Sequence, residues 1–415
     1  MSEEIKNYAA SMYIGTTSGT LPRPVFFDPH LAAFNNKPPV TIVTGTPGSG
    51  KTFFGLGCSG QSSILGKTTI ILDPKGDFLQ LLGIKDDIGD LSIWNLGKTK
   101  GSRAGVLDPF YMSNDPGATL SLVLSVLDLF TGGLSESQMT ALSPIVKDVI
   151  DLPVPSLMKV VDHLRRSERE VARDLGTKLD VISRMPGAKL CFAPGGSARE
   201  SVSIDRGTTI ITLVGMDLPA DAEAAKSTNQ GRLMTGLLFL ITDFIYSVMH
   251  NSTSTNPKLV IIDEARSVVS SKHGADVIKN LALLGRSKGI GVIMMTQSMS
   301  HLSELDIENT VSSRFAFKTS RKEADEIVKA MNLPENYGYE ERMMNLKNGE
   351  CFYQDVSGRV GTIQISSWNN EWTEAFRTNP YELMVQRKRE EKRKQLAQER
   401  KTTLGGPQSP GQESA

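Results

Sequence analysis

An eight-residue stretch, "GTPGSGKT" at 45–52, carries the clearest chemical pattern in the chain. It fits G-x-x-x-x-G-K-[ST] and directly follows the β-branched run "PPVTIVTG". Glycines let such a loop curl so that its N–H groups point at phosphate oxygens, and a lysine reaches the β- and γ-phosphates. The predicted nucleotide site therefore consists of Gly45, Thr46, Pro47, Gly48, Ser49, Gly50, Lys51 and Thr52, with Lys51 catalytic and Thr52 a Mg²⁺ ligand.

Two adjacent acids, Asp263 and Glu264, follow the apolar residues of "LVIIDEA". Ligands of open α/β sheets bind at the carboxyl ends of the strands, where this pattern places both side chains. We expect Asp263 to bind Mg²⁺ and Glu264 to polarise a water molecule towards the γ-phosphate. An Asp-Glu pair at this position also occurs as an ordinary helix cap, and the phosphate loop favours the catalytic interpretation.

A third polar strand end is Gln297, the last residue of "GVIMMTQ". An amide there would orient the attacking water and sense the γ-phosphate, although some strands simply end in a polar residue. No N-K-x-D sequence follows, which favours ATP over GTP. Arg314 is the leading candidate for a cation that stabilises the transferred phosphoryl group, and Arg286 is the second; a structural arginine is the alternative for each.

The elements that position these residues follow from apolar runs. "PPVTIVTG", "KTTIILD", "GTTIITLVGM", "PKLVIIDEA", "GIGVIMMTQ" and "SSRFAFKTS" predict six strands covered on both faces, separated mostly by helices. This order indicates an α/β, doubly wound, mostly parallel sheet. Ser135 and Gln138 predict a capping box, Ser320 and Glu323 cap a later helix, and residues 349–366 predict a hairpin that turns at "SGR".

The predicted organisation has five parts. They are an extended, irregular lead segment (1–38), the first part of an ATPase domain (39–115), a helical insertion between the second and third predicted strands (116–190), the second part of the ATPase domain (191–380), and a charged helix with a disordered tail (381–415). The basic run "QRKREEKRK" in the tail would contact DNA or a partner, or would form a solvated helix.

Composition restricts the class of protein. The 415 residues contain 46 basic and 46 acidic side chains, so net charge predicts neither nucleic acid nor membrane binding. Three widely spaced cysteines, Cys58, Cys191 and Cys351, indicate a reduced, cytoplasmic compartment without structural zinc. The N-terminus lacks the order of a signal peptide. The apolar stretch 233–249 is short and contains Asp243, so we expect a buried helix and no transmembrane segment.

The motifs together resemble those of the HerA/FtsK superfamily of RecA-like motor ATPases. "GTPGSGKT", "ILDPKGDF", "GVLDPF", "VIIDEA", "MMTQ" and "RFAFKT" occur in the order of that superfamily, over residues 24–366. They are most similar to the TraC-like ATPases of type IV secretion and conjugation, as is the helical insertion. The phosphate loop alone is generic, whereas its combination with "DPKGD", "IDEA" and "TQ" is more specific.

The resemblance implies ATP and Mg²⁺ as cofactors and the roles given above to Lys51, Thr52, Asp263, Glu264 and Gln297. It also implies a homo-oligomer, most simply a hexameric ring in which Arg314 enters a neighbour's site. DNA and membrane-associated secretion channel proteins are the expected partners, with the motor at the inner face of the membrane. A HerA/FtsK-type DNA translocase for processing or packaging and a nucleotide-dependent scaffold with little turnover remain the alternatives.

The stretch "ILDPKGDF" at 71–78 contains more charge than a turn requires, because Pro74 and Gly76 suffice to form one. A solvated turn is the simpler interpretation. Its place in the motif series instead predicts that Asp73 braces the phosphate-loop side of the site. It also predicts that Lys75 faces a neighbouring subunit or the transported polymer.

Overall fold

The apolar runs of the sequence form the centre of an eleven-stranded sheet in the computed structural model. The structure describes residues 11–97, 104–193, 207–216, 222–251, 256–265, 272–299, 310–334 and 336–377. The expected α/β fold with a mostly parallel central sheet is confirmed. The predicted tail (381–415) lies outside the described residues.

The strands are β1 Met12–Thr17, β2 Pro24–Phe27, β3 Val40–Thr44, β4 Thr68–Asp73, β5 Leu91–Asn95, β6 Thr208–Thr212, β7 Lys258–Ile262, β8 Ile290–Thr296, β9 Val311–Phe317, β10 Glu350–Gln354 and β11 Val360–Ile365. The α-helices are α1 Leu31–Phe34, α2 Lys51–Ile64, α3 Lys85–Ile88, α4 Pro116–Thr131, α5 Glu136–Ile150, α6 Leu157–Arg165, α7 Glu170–Ser183, α8 Ala222–Ser227, α9 Asn229–Asn251, α10 Lys272–Lys288, α11 Arg321–Ala330, α12 Tyr339–Met344 and α13 Asn370–Ala375. Short 3₁₀ helices span Asp77–Ile84, Pro109–Tyr111 and Ala188–Leu190.

The strand order is β2-β1-β11-β10-β9-β3-β8-β7-β4-β6-β5. The seven strands from β9 to β5 pair in parallel, and those from β9 to β2 pair antiparallel. The carboxyl ends of β3, β8, β7 and β4 are therefore neighbours at one edge. All four carry residues that the sequence singled out, because each motif directly follows its strand.

Both faces of the sheet are covered, as the continuous apolar runs predicted. On one face α2, the 3₁₀ helix Asp77–Ile84 and α13 bury Phe54, Phe78 and Trp372. On the other face α9 packs against α4 and α10. Helix α9 has the length and composition of a membrane span, but 61% of its apolar window is buried inside the protein. The expected buried helix at 233–249 is thus observed.

Four helices, α4 to α7, occupy the segment predicted to be helical and pack against one another. They follow β5 and precede β6, within the interval between the second and third predicted strands. Strand β5 escaped notice because "LSIWN" is not a continuous apolar run, and it lies only partly buried at the edge of the sheet. Asp108 of "GVLDPF" joins the two regions, since its carboxylate accepts from the N–H groups of Phe110 and, at 3.1 Å, Leu157. The assignment of 116–190 as a separate subdomain stays a prediction.

The lead segment before the phosphate loop is more regular than expected. Strands β1 and β2 pair with each other, and β1 pairs with β11, more than 340 residues away in sequence. The prediction of an irregular segment was wrong for these residues because their extended conformation depends on a partner strand. The close approach of β1 to β11 requires Gly15, where a Cβ atom would lie 2.0 Å from the carbonyl oxygen of Gln364.

Of the local predictions, the capping box and the hairpin turn are observed, whereas one helix cap is not. Ser135 and Gln138 form the predicted capping box of α5, and the hairpin β10–β11 turns at 355–359. The predicted cap of α11 was wrong, because the Ser320 side chain makes no capping hydrogen bond. Glu323 instead accepts hydrogen bonds from the segment after β8.

Candidate nucleotide site

The phosphate loop lies between the end of β3 and the first turn of α2. Gly45, Gly48 and Gly50 have φ angles of 151°, 74° and 116°, a region that residues with a Cβ atom rarely adopt. At Gly45 a Cβ would also lie 2.7 Å from both Phe317 Cβ and Ser49 Oγ. The glycines are therefore needed for the conformation of this loop, as the motif predicts.

Backbone hydrogen bonds to distant residues of the same chain hold the two ends of the loop. The N–H of Thr46 donates to the carbonyl of Lys318, after β9, at 2.9 Å. The N–H of Gly349, before β10, donates to the carbonyl of Ser49 at 2.9 Å. These anchors fix the loop against β9 and β10, which follow it by more than 250 residues, and sequence motifs gave no sign of Gly349.

Lys51 turns back over the loop. Its Nζ donates to the carbonyls of Gly45 at 2.7 Å and Thr46 at 3.0 Å. Burial lowers the pKa of Lys51, while the charges of Asp263 and Glu264 oppose that change. The lysine, the loop and the two acids therefore share one electrostatic site, with Thr52 half-buried beside Lys51 on the first turn of α2.

The two acids follow β7. Asp263 is 5% exposed, and its N–H donates to the carbonyl of Leu72 on β4. Burial, and then the charge of Asp73, raise the pKa of Asp263 to about 8. Glu264 accepts from Gln297 Nε2 at 3.1 Å through Oε1 and at 3.5 Å through Oε2. The residues expected to act as base and sensor are thus in direct contact, although 33 positions separate them.

In the stretch "ILDPKGDF" the environment of Asp73 differs from the expected one, whereas a contact of Lys75 with a neighbouring subunit or the transported polymer stays a prediction. The Asp73 carboxylate is fully buried and accepts from the N–H groups of Gly76 at 2.8 Å, Asp77 at 3.1 Å and Phe78 at 2.8 Å. It therefore fixes its own turn and does not brace the phosphate loop. Lys75 points into the site, where Nζ lies 2.5 Å from Glu264 Oε1.

Of the two arginine candidates, the structure describes the side chain of Arg314. Arg314 is half-buried on β9, and its Nη1 donates to Gln354 Oε1 on β10 at 3.1 Å. Gln354 in turn donates to the carbonyl of Met331 at the end of α11. Arg286 belongs to α10, and its side chain lies outside the described part of the chain. A catalytic role for either arginine stays a prediction.

Glu323 is a residue that the sequence did not connect with the site. Its Oε1 accepts from Ser298 Oγ at 2.7 Å, and its Oε2 accepts from the N–H of Met299 at 2.8 Å. Both donors follow Gln297 immediately. The carboxylate of α11 therefore holds the segment that carries the predicted sensor.

The residues fit a nucleotide and a divalent cation. Ser49 Oγ is buried in the loop without a hydrogen-bond partner among the described residues, as expected for a group that faces phosphate. Thr52 and Asp263 would hold Mg²⁺, which proteins usually bind through one or two side chains together with phosphates. No cluster of three or more His, Cys, Asp or Glu suited to a metal occurs among the described residues.

Comparisons with known proteins place this geometry in context. Residues 23–376 match the AAA-like domain family. The chain is 23% identical over 381 residues to the uncharacterized protein YddE of Bacillus subtilis (strain 168); the match covers 85% of this chain and 45% of YddE, so the chain spans less than half of that relative's length. The structure of VirB4 of Thermoanaerobacter pseudethanolicus superposes with a TM-score of 0.70 at 15% identity, over 87% of this chain and 98% of that one.

The structural likeness shows a shared fold, a P-loop NTPase-like domain built on a mostly parallel sheet. The family match contains the phosphate loop, the two acids and the glutamine whose geometry is described above. The resemblance is thereby confirmed as far as an AAA-like domain with a P-loop NTPase-like fold. Because the match takes in most of its residues, the chain belongs to the AAA-like domain family.

Proposed function

We propose that this chain is the ATP-hydrolysing motor of a conjugation or type IV secretion-like system that transfers DNA. The observation that carries the proposal is the contact of Glu264 with Gln297 at 3.1 Å, at the sheet edge that also bears the phosphate loop. A base, a polar group that senses phosphate and a phosphate cradle are the parts that hydrolysis of a nucleoside triphosphate requires. The motif order and the likeness to VirB4 support the secretion assignment.

In this mechanism the loop N–H groups and Lys51 bind and orient the phosphates, and Lys51 leaves the carbonyls of Gly45 and Thr46 to do so. Thr52 and Asp263 would hold Mg²⁺, whose positive charge would offset the charge of the phosphates. Glu264 accepts the proton of the attacking water, and Gln297 orients that water. Burial and the neighbouring carboxylates raise the pKa of Asp263, and a cation bound beside it would favour its ionised form.

The assembly is also a proposal. A ring, most simply a hexamer, would let a cation from one subunit complete the site of the next. Arg314 is our candidate, and its bond to Gln354 would have to break for it to enter a neighbour's site. The proposed setting is the cytoplasmic face of a membrane, with DNA and secretion channel proteins as partners. Sedimentation with and without a non-hydrolysable ATP analogue tests the ring, and a monomer under both conditions contradicts it.

The central experiment is steady-state ATP hydrolysis by the purified chain, with and without duplex DNA. We expect Mg²⁺-dependent turnover that Lys51→Ala abolishes and that Glu264→Gln lowers by about 10²-fold or more, since general base catalysis contributes about 10²–10⁴-fold. Glu341→Gln, which removes an exposed carboxylate on α12, is the matched control and should behave as wild type. Equal turnover in wild type and Lys51→Ala would contradict the proposal. Equal rates in wild type and Glu264→Gln would leave a nucleotide-dependent scaffold as the better interpretation.

A further inference from the structure

The side chains of Lys75 and Gln297 both donate hydrogen bonds to the carboxylate of Glu264. The Lys75 ammonium lies 2.5 Å from Oε1, and the Gln297 amide approaches Oε1 at 3.1 Å and Oε2 at 3.5 Å. The proposed base therefore has two close donors at Oε1 and one long contact at Oε2 in this conformation. A carboxylate engaged in this way is a poorer acceptor for the proton of a water molecule.

The turn that carries Lys75 is rigid. Asp73, fully buried, holds the N–H groups of Gly76, Asp77 and Phe78, and Gly76 has a φ angle of 88° that glycine tolerates. Strand β4, which leads into this turn, pairs directly with β7, which leads into Glu264. Because β4 and β7 are neighbours, the turns that follow them bring Lys75 next to Glu264.

Glu264 itself is held in an unfavourable conformation. Its φ angle is 52°, in the left-handed region that residues with a Cβ atom avoid. Its N–H donates to Asp263 Oδ1 at 3.0 Å. Strained residues persist where surrounding contacts hold them, and the Lys75 and Gln297 contacts do so here. Loss of the Lys75 contact would thus free Glu264 to change its backbone and side-chain conformation.

Lys75 is also open to a competitor. Its side chain is 49% exposed, against 21% for Glu264. Burial alone would lower the pKa of Lys75, but the hydrogen bond and charge of Glu264 outweigh it and raise the pKa. The ammonium remains charged and accessible at the edge of the sheet. A phosphate group is an anion that would compete with a carboxylate for it.

We propose that Lys75 is a latch on Glu264, which restrains the catalytic carboxylate until a phosphate group takes the lysine away. The proposal rests on the ATPase function proposed above and adds a regulatory residue to it. The phosphate has two sources of the same chemistry, the bound nucleotide and the backbone of DNA. Lys75 is then not a catalytic residue but a positioning residue that acts through Glu264.

The first test does not depend on turnover. Limited labelling with an amine-reactive reagent, read by mass spectrometry, compares Lys75 with the exposed Lys322 of α11 in the same sample. Glu264→Gln should increase labelling of Lys75 several-fold, because the amine loses its ion pair, and should leave Lys322 unchanged. Equal labelling of Lys75 in wild type and Glu264→Gln would overturn the latch, whatever the protein's activity.

The second test measures ATP hydrolysis with and without duplex DNA. Partly exposed ion pairs are weak, so Lys75→Ala should raise kcat without DNA by roughly two- to tenfold with little change in KM. Lys75→Arg, which keeps the charge, should raise it less, and Lys322→Ala is the control. Lys75→Ala turnover that is unchanged or lower than wild type would overturn the proposal. If DNA no longer stimulates Lys75→Ala, the releasing phosphate comes from DNA; if stimulation persists, it comes from the nucleotide.

Discussion

Replacement of Glu323 by alanine is the sharpest test of how the predicted sensor is positioned. The change removes two hydrogen bonds, one to Ser298 Oγ at 2.7 Å and one to the N–H of Met299 at 2.8 Å. A hydrogen bond to a charged group contributes about 1.5–3 kcal/mol, and these are partly buried bonds that share one carboxylate. We therefore expect the segment after Gln297 to open more easily by about 1.5–2 kcal/mol.

That free energy predicts a measurable rate. Because about 1.4 kcal/mol corresponds to a tenfold change in an equilibrium, the amide of Met299 should exchange with solvent roughly 10- to 30-fold faster. Hydrogen exchange followed by mass spectrometry on a peptide that contains Met299 measures it. The same variant should lower kcat without raising the KM for ATP, since Gln297 loses its support while the phosphate loop stays intact.

A graded variant separates charge from shape. In Glu323→Gln the amide oxygen accepts from Met299 and the amide nitrogen donates to Ser298, so both contacts survive without the charge. Neutral hydrogen bonds are about half as strong, and exchange should rise only about two- to fivefold. Asp325→Ala, in the same helix and 51% exposed, is the control and should match wild type. Exchange in Glu323→Ala within twofold of wild type would refute the positioning role.

Two further predictions concern stability. Within α2, a Cβ at Gly60 would lie 2.5 and 2.6 Å from ring atoms of the buried Trp372, whereas one at Gly57 meets nothing within 4 Å. Alanine gains about 1 kcal/mol of helix propensity at both sites, but overpacking costs about 1–3 kcal/mol only at Gly60. The thermal unfolding temperature of Gly57→Ala should therefore be higher than that of Gly60→Ala. Equal unfolding temperatures would contradict this packing. Burial raises the pKa of Asp243 to about 6, so the unfolded chain loses this proton at lower pH than the folded one, and ionisation destabilises the fold as pH rises from about 4 to 6. A shift of this size would destabilise the fold by about 3 kcal/mol at high pH, and partial exposure of Asp243 reduces this to about 1 kcal/mol. In denaturant unfolding, Asp243→Asn should therefore be more stable than wild type at pH 7.5, and the difference in unfolding free energy should be smaller at pH 4. A difference that does not change with pH would argue against this reasoning.

The parts of the site that sequence predicted are those encoded over short distances. The phosphate loop needs three glycines, a lysine and a threonine within eight residues, and its geometry follows from that local pattern. Asp263 and Gln297 were placed because each directly follows an apolar run long enough to be a strand. The carboxyl ends of neighbouring parallel strands share one edge, so these residues had to lie near each other once the sheet was parallel.

The sequence by itself thus determined the α/β class, the six apolar strands and the residues at their carboxyl ends, because hydrophobic periodicity and loop chemistry are local properties. Only the tertiary structure decided which strands are neighbours. It placed β4 beside β7 and so brought Lys75 to Glu264 across 189 positions, it turned Asp73 onto its own turn, and it set Glu323 against the segment after β8. It also paired β1 and β2 with the sheet. Such contacts depend on strand order, which no short stretch of sequence specifies.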